Sequence, residues 1–174
     1  FGIKTFKFYM GGYSPGNPVG IVTADDGVLY SGMERIRHLG DFAFCMVHAE
    51  DHALVELFTE EVKKSGRQDL RAYSDSRPHF VEEQDILRAM WMAELLDCPL
   101  YVPHVTIGAA IDAAIAARQR GARFVLETCP HYLALTADDA RFEGDGAGIG
   151  KVSPPLRDNG NQERLWWGLA NGHI

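Results

Sequence analysis

Three residues of this 174-residue chain stand where nitrogen atoms could hold a metal ion. Lys7 lies in the run Phe1-Gly-Ile-Lys-Thr-Phe-Lys-Phe-Tyr-Met10, His48 ends the run Phe42-Ala-Phe-Cys-Met-Val-His48, and His104 ends Leu100-Tyr-Val-Pro-His104. Each run is rich in aromatic and β-branched residues, which is strand composition. An isolated ammonium in a buried strand is costly, so Lys7 must be paired, neutralised or carried to solvent. Taken alone it reads as a strand-end lysine whose stem is buried and whose head reaches water. In parallel strands, however, the C-terminal ends share one rim, where ligands and catalytic groups gather. One amine and two imidazoles at that rim are the donor set of a metal site.

The elements that would position these residues alternate. After the first strand, Gly11-Gly-Tyr-Ser-Pro-Gly-Asn-Pro18 is a loop by its turn residues and should overhang the site. Asp25 or Asp26 can cap a helix with Leu29, Met33 and Ile36 on one face, ending near Leu39-Gly40. A second helix is predicted over Asp51 to Ser65 with a stripe of Leu54, Leu57, Phe58 and Val62, closed by Gly66. A polar loop through Arg77-Pro78 leads to a third helix over about Glu82 to Leu96, packed through Ile86, Met90 and Ala93. The His104 strand is followed by an alanine-rich helix from Gly108 to Arg120, a fourth strand over Arg123 to Cys129, a Gly-rich acidic loop over Ala137 to Gly150, and a last helix bearing Trp166 and Trp167.

The order is therefore βα repeated about four times, which implies parallel strands joined by right-handed crossovers. The fold class expected is α/β, a partial (β/α)8 barrel of about four consecutive units, because a whole barrel needs roughly 250 residues. An open doubly wound sheet is the competing arrangement, but the first βα turn lacks a Gly-x-Gly-x-x-Gly phosphate cradle. The opening Phe1 inside a strand and the ending Asn-Gly-His-Ile174 lead us to expect residues 1–174 to be a central to C-terminal part of one barrel domain.

Composition narrows the partners. With 46% hydrophobic residues the chain can bury a core without staples. A net charge of −7 with scattered basic residues speaks against nucleic acid, and no run approaches the ~20 apolar residues that span a bilayer. Cys45, Cys98 and Cys129 are odd in number and set in or beside apolar runs, which fits reduced thiols in a cytoplasmic protein that acts on a small molecule.

The residues also carry a resemblance. Thr5-Phe-Lys-Phe-Tyr-Met10, Val47-His-Ala-Glu50, Ser76-Arg-Pro78 with Glu82, Glu127-Thr-Cys-Pro-His-Tyr-Leu133 and Ser153-Pro-Pro-Leu-Arg157 with Leu165-Trp166 are similar, in order and over nearly the whole chain, to the cyclic amidohydrolases. That group includes dihydropyrimidinase, hydantoinase, allantoinase and dihydroorotase. The resemblance implies a hydrolase opening a ring C–N bond of a hydantoin- or dihydropyrimidine-type substrate through a metal-bound hydroxide, with allantoinase or dihydroorotase activity as the alternative. A dihydropyrimidinase-like protein without catalysis is a further alternative, disfavoured by the presence of Lys7, His48 and His104.

It implies two divalent ions, usually zinc, with Lys7 as a carbamate formed with CO2 and His48 and His104 as ligands to the more buried ion. Carbamylation would resolve the lysine problem by turning a cation into an anionic oxygen ligand. The family's His-x-His would fall before Phe1 and its proton-shuttling Asp after Ile174, so no catalytic acid or base is expected within this segment, which alone should be inactive. Ser153 matches a ring-contacting position. The substrate-contacting Tyr of hydantoinases falls at Gly12, and Tyr13 beside it is the candidate replacement. Glu50 can orient a metal ligand or simply favour a helix start, and His131 can support the site or be a satisfied core histidine. Arg77 is expected to pair with Glu82, and Glu127 to be a buried structural carboxylate. Family members often form dimers or tetramers, and a homo-oligomer is expected of the full-length protein.

Overall fold

The computed structural model describes residues 2–11, 22–40 and 42–174. Four strands, β1 (Thr5–Tyr9), β2 (Phe44–His48), β3 (Leu100–Val102) and β4 (Phe124–Leu126), form a parallel sheet in the order β1-β2-β3-β4. The helices are α1 (Asp26–Arg37), α2 (His52–Ser65), α3 (Leu70–Asp75), α4 (His79–Leu96), α5 (Gly108–Gln119), α6 (Pro130–Ala134) and α7 (Asn159–Ala170).

Local chemistry explains most boundaries. Asp25 accepts a hydrogen bond from the Val28 amide at 2.8 Å, and Asp51 accepts one from Leu54 at 2.9 Å, so each satisfies an orphan donor of its helix start. Gly66 closes α2 at φ 72°, a left-handed position that glycine adopts without a Cβ penalty.

The register shows why only one face of the sheet is buried. Lys7 pairs with Met46, Met46 with Tyr101, and Tyr101 with Val125, so these four side chains share a face. None of them is fully buried, and Val125 is 39% exposed. The alternate residues Cys45, Val47, Leu100, Val102, Phe124 and Leu126 are buried, and with Leu29, Met33, Ile86, Met90 and Ile111 of α1, α4 and α5 they make one core. A doubly wound sheet would bury both faces. Helices on one side only, with β-α-β order and parallel pairing, give part of a barrel wall, and the competing open-sheet arrangement is set aside.

Several expectations need correction. The stretch between α2 and Pro78, expected as loop, contains α3, capped by Asp69. Helix α4 begins at His79, earlier than Glu82, because the 77–82 turn folds directly into its first turn. Along α2 only Val55 is buried and Leu57 is 51% exposed, since that helix packs on α3 and not on the sheet. The fourth strand stops at Leu126, and the residues read as its end enter α6. The region read as acidic loop holds two 3-10 turns, Ala140–Phe142 and Gly144–Gly148. All three cysteines are free thiols. Among the described residues no helix is long and apolar enough to cross a membrane.

Candidate metal centre

His48 ends β2 and His104 follows β3 at the C-terminal rim of the sheet, whereas Lys7, expected at a strand end, is in the middle of β1, two residues short of that rim. Tyr9 lies opposite His48 in the β1–β2 register, and their rings are 5.6 Å apart. Lys7, one side-chain period before Tyr9, therefore points to the same face, and its Nζ lies 5.3 Å from the Tyr9 ring centroid. His104 follows β3 and meets His48 edge-on, with ring centroids 5.0 Å apart and His48 Nδ1 3.3 Å from His104 Nε2.

The protons on these rings are fixed by their other partners. His48 Nε2 donates to Glu50 Oε2 at 2.9 Å, and since an ionised carboxylate only accepts, that nitrogen carries the proton. The ring's Nδ1 faces His104. Glu50 is fully buried, and the same oxygen accepts from Ser153 Oγ at 2.9 Å. Burial pushes the Glu50 carboxyl up, but hydrogen bonds from His48 and Ser153 and the charge of Arg77 outweigh it and bring it below its ordinary value. Burial first, then the charges of His48 and Lys7, holds His104 down at about 3, so it is a neutral imidazole at pH 7. Burial also draws Lys7 down to about 8, with Glu127 opposing, which leaves about a tenth of the amine uncharged at pH 7.

This donor set fits a tetrahedral divalent ion. With metal–nitrogen bonds of about 2.0–2.1 Å, the edge of a tetrahedron is about 3.3–3.4 Å, and the two imidazole nitrogens are separated by 3.3 Å. The pair is not a complete site: among the described residues no group of three or more His, Cys, Asp or Glu could hold a metal. Lys7 adds a ligand oxygen only if its amine is modified.

Of the other expected residues, Ser153 is exposed but anchored to Glu50, and Glu50 touches His48 directly. No hydrogen bond among the described residues joins His131 to this group. It sits in the first turn of α6, its Nε2 is buried without a partner, burial lowers its pKa, and its ring leans on Tyr132 at 4.1 Å. Gly12 and Tyr13 lie outside the described residues.

Two pairings differ from expectation. Glu82 binds Arg157 at 3.0 Å, not Arg77, because α4 turns its first-turn carboxylate inward to the 153–157 segment. Arg77 instead places Nε 3.9 Å from Glu50 Oε1 and its guanidinium 4.5 Å from the Tyr73 ring centroid. Glu127 is exposed, since it follows Val125 on the open face of the sheet, and it acts on Lys7 through its charge. Tyr9 was open to sequence reasoning and missed: two residues past Lys7 on a strand means the same face.

No family model matches the chain. Curated proteins and solved structures do. An allantoinase from Deinococcus radiodurans is 38% identical over 151 residues, covering 87% of this chain and 33% of that protein. A dihydropyrimidinase from Brevibacillus agri superposes with a TM-score of 0.86 at 33% identity over 99% of this chain and 36% of its own. An L-hydantoinase from Arthrobacter aurescens does so with a TM-score of 0.85 at 32% identity, over 97% and 36% respectively. The chain thus spans about a third of the length of the relatives it matches. Matched at 33–38% identity over 87–99% of its length, the chain belongs to the cyclic amidohydrolase family.

Proposed function

We propose that the protein carrying this segment is a metal-dependent cyclic amidohydrolase that hydrolyses a ring C–N bond in a small cyclic amide of the hydantoin or dihydropyrimidine type. The observation that carries the reading is the 3.3 Å approach of His48 Nδ1 and His104 Nε2 on the face shared with Lys7. In it, His48 and His104 would hold one of two divalent ions, zinc as the family resemblance implies, and Lys7 would supply an anionic oxygen ligand after its uncharged amine adds to CO2 and releases a proton. A divalent ion at such a site polarises a carbonyl and brings the pKa of water toward ~7.

The remaining work falls to side chains of this chain. Glu50 holds the His48 ring through Nε2 and so directs Nδ1 toward the ion. Ser153, exposed at the rim and tied to the same carboxylate, meets the substrate ring, with Tyr13 as a second contact. His131 supports the rim from α6. Residues 1–174 are the central to C-terminal part of the barrel domain, and the remaining ligands and the proton-shuttling carboxylate come from chain outside them. The full-length protein works as a cytoplasmic homo-oligomer, a dimer or tetramer.

A second reading has a specific support: curated relatives at 35–38% identity are allantoinases. Allantoin contains a hydantoin ring, so the site described serves either substrate. The test is elemental analysis of the purified full-length protein together with ring-opening assays on a hydantoin, a dihydropyrimidine, allantoin and dihydroorotate. The expected result is stoichiometric divalent metal and turnover of at least one ring. A metal-free protein that opens none of them sinks the proposal in favour of a non-catalytic relative.

A further inference from the structure

We infer that the buried cluster of Glu82, Thr106 and Arg157 is the positioning device of this site, setting the spacing between His104 and Ser153. The inference rests on the function proposed above and goes beyond it by giving a role to residues in contact with neither His48 nor Lys7.

Glu82, in the first turn of α4, is 2% exposed and Arg157 8% exposed. Glu82 Oε1 accepts from the Thr106 amide at 2.9 Å, and Oε2 accepts from the Thr106 hydroxyl and from Arg157 Nη2, the latter at 3.0 Å. Arg157 Nε donates to Thr106 Oγ1 at 2.9 Å, and Nη1 donates to the Arg77 carbonyl. The carboxylate therefore joins two loops remote from it in sequence, those of Thr106 and Arg157, and Arg157 ties the second of them to the Arg77 turn that precedes α4.

Each loop leads directly to the site. Thr106 follows His104 by two residues, Arg157 follows Ser153, and the Arg77 guanidinium faces Glu50. His104 holds a left-handed backbone at φ 47°, a conformation that persists for a side-chain residue only where its surroundings enforce it. The two amides after His104 are both tied down, Val105 to the Glu127 carbonyl at 2.8 Å and Thr106 to Glu82. A buried ion pair adds little net stability over an apolar replacement, whereas its directed bonds fix geometry. With its arms bonded within two residues of His104 and four of Ser153, this cluster fixes how far the metal-holding imidazole stands from the ring-binding serine.

The test compares wild type with Thr106→Val, Thr106→Ser and Glu82→Gln in the full-length protein. Metal affinity is read by chelator competition, KM and kcat by ring opening, and folding by the thermal midpoint. Thr106→Val keeps the Glu82–Arg157 pair, and is expected to weaken metal retention about tenfold and raise KM, while Thr106→Ser restores both. Glu82→Gln is expected to do more of the same. If Thr106→Val, or a folded Glu82→Gln, lowers the thermal midpoint while metal affinity and KM stay at wild-type values, the cluster is structural only and the inference fails. A wild-type protein that retains no metal instead overturns the proposed function, and that outcome is seen before any substitution is made.

Discussion

Glu50 shares one oxygen between His48 and Ser153 and has no solvent to share the load. Converting it to an amide removes the negative charge that holds the His48 proton on Nε2, so Glu50→Gln should cost about 10–100-fold in metal affinity by chelator competition. Unchanged affinity would mean His48 is oriented by packing alone. Asp85 tests burial at a distance from the rim. It is 0% exposed, one oxygen lacks a partner, and burial raises it to about 7 despite Arg88 at 2.7 Å. Between pH 4 and 7 the folded chain then binds a proton that the unfolded chain lacks, so this group's contribution to stability improves as pH falls through 7 and its penalty is complete above 7. Asp85→Asn should stabilise the protein at pH 8 by about 1–3 kcal/mol and leave it nearly unchanged at pH 4, as read by urea midpoints.

Strand β1 carries Lys7, and its seat against α1 depends on a missing side chain. A Cβ at Gly32 of α1 would lie 2.3 Å from Phe8 Cζ, so the helix approaches the strand only because residue 32 is glycine. Gly32→Ala is expected to cost about 1–3 kcal/mol by overpacking. Adding Phe8→Leu should recover part of the loss, because the two residues share one contact. Urea unfolding of the single and double variants decides it: additive losses would show that the clash is relieved elsewhere. The other end of β1 is as tight, since a Cβ at Gly11 would fall 1.5 Å from the Glu50 carbonyl oxygen. The strand carrying Lys7 and the turn carrying Glu50 are thus in backbone contact.

Across the whole molecule, the helix-free face of the sheet presents Lys7, Met46, Tyr101 and Val125, none of them fully buried. Sheet faces of this kind and unpaired strand edges attract other surfaces. The 174-residue chain studied by itself should bind a hydrophobic dye, associate in sedimentation experiments and fail to open hydantoin, dihydropyrimidine or allantoin rings. A monomeric segment with robust turnover would contradict the proposal that the remaining ligands lie outside it.

Reading the residues in order was enough for the βα alternation, the buried faces of α1 and α4, a cap at Asp25 or Asp26, the stop at Gly66, and the placing of His48 and His104 at or just past strand ends. Those features follow from side-chain period and from hydrogen bonds between near neighbours, which the local sequence dictates. The pairing of charges did not follow. Glu82 has Arg77 close by in the chain, yet takes Arg157 from 75 residues away, because the direction in which α4 leaves its turn decides which cation its carboxylate meets. The extent of α3, the exposure of Glu127, and the approach of His48 to His104 across 56 residues likewise depend on how loops are laid over the sheet. The sequence by itself determined which groups could do the chemistry and on which elements they ride; only the tertiary structure decided which of them touch, because contact between remote loops is set by packing and not by any periodicity along the chain.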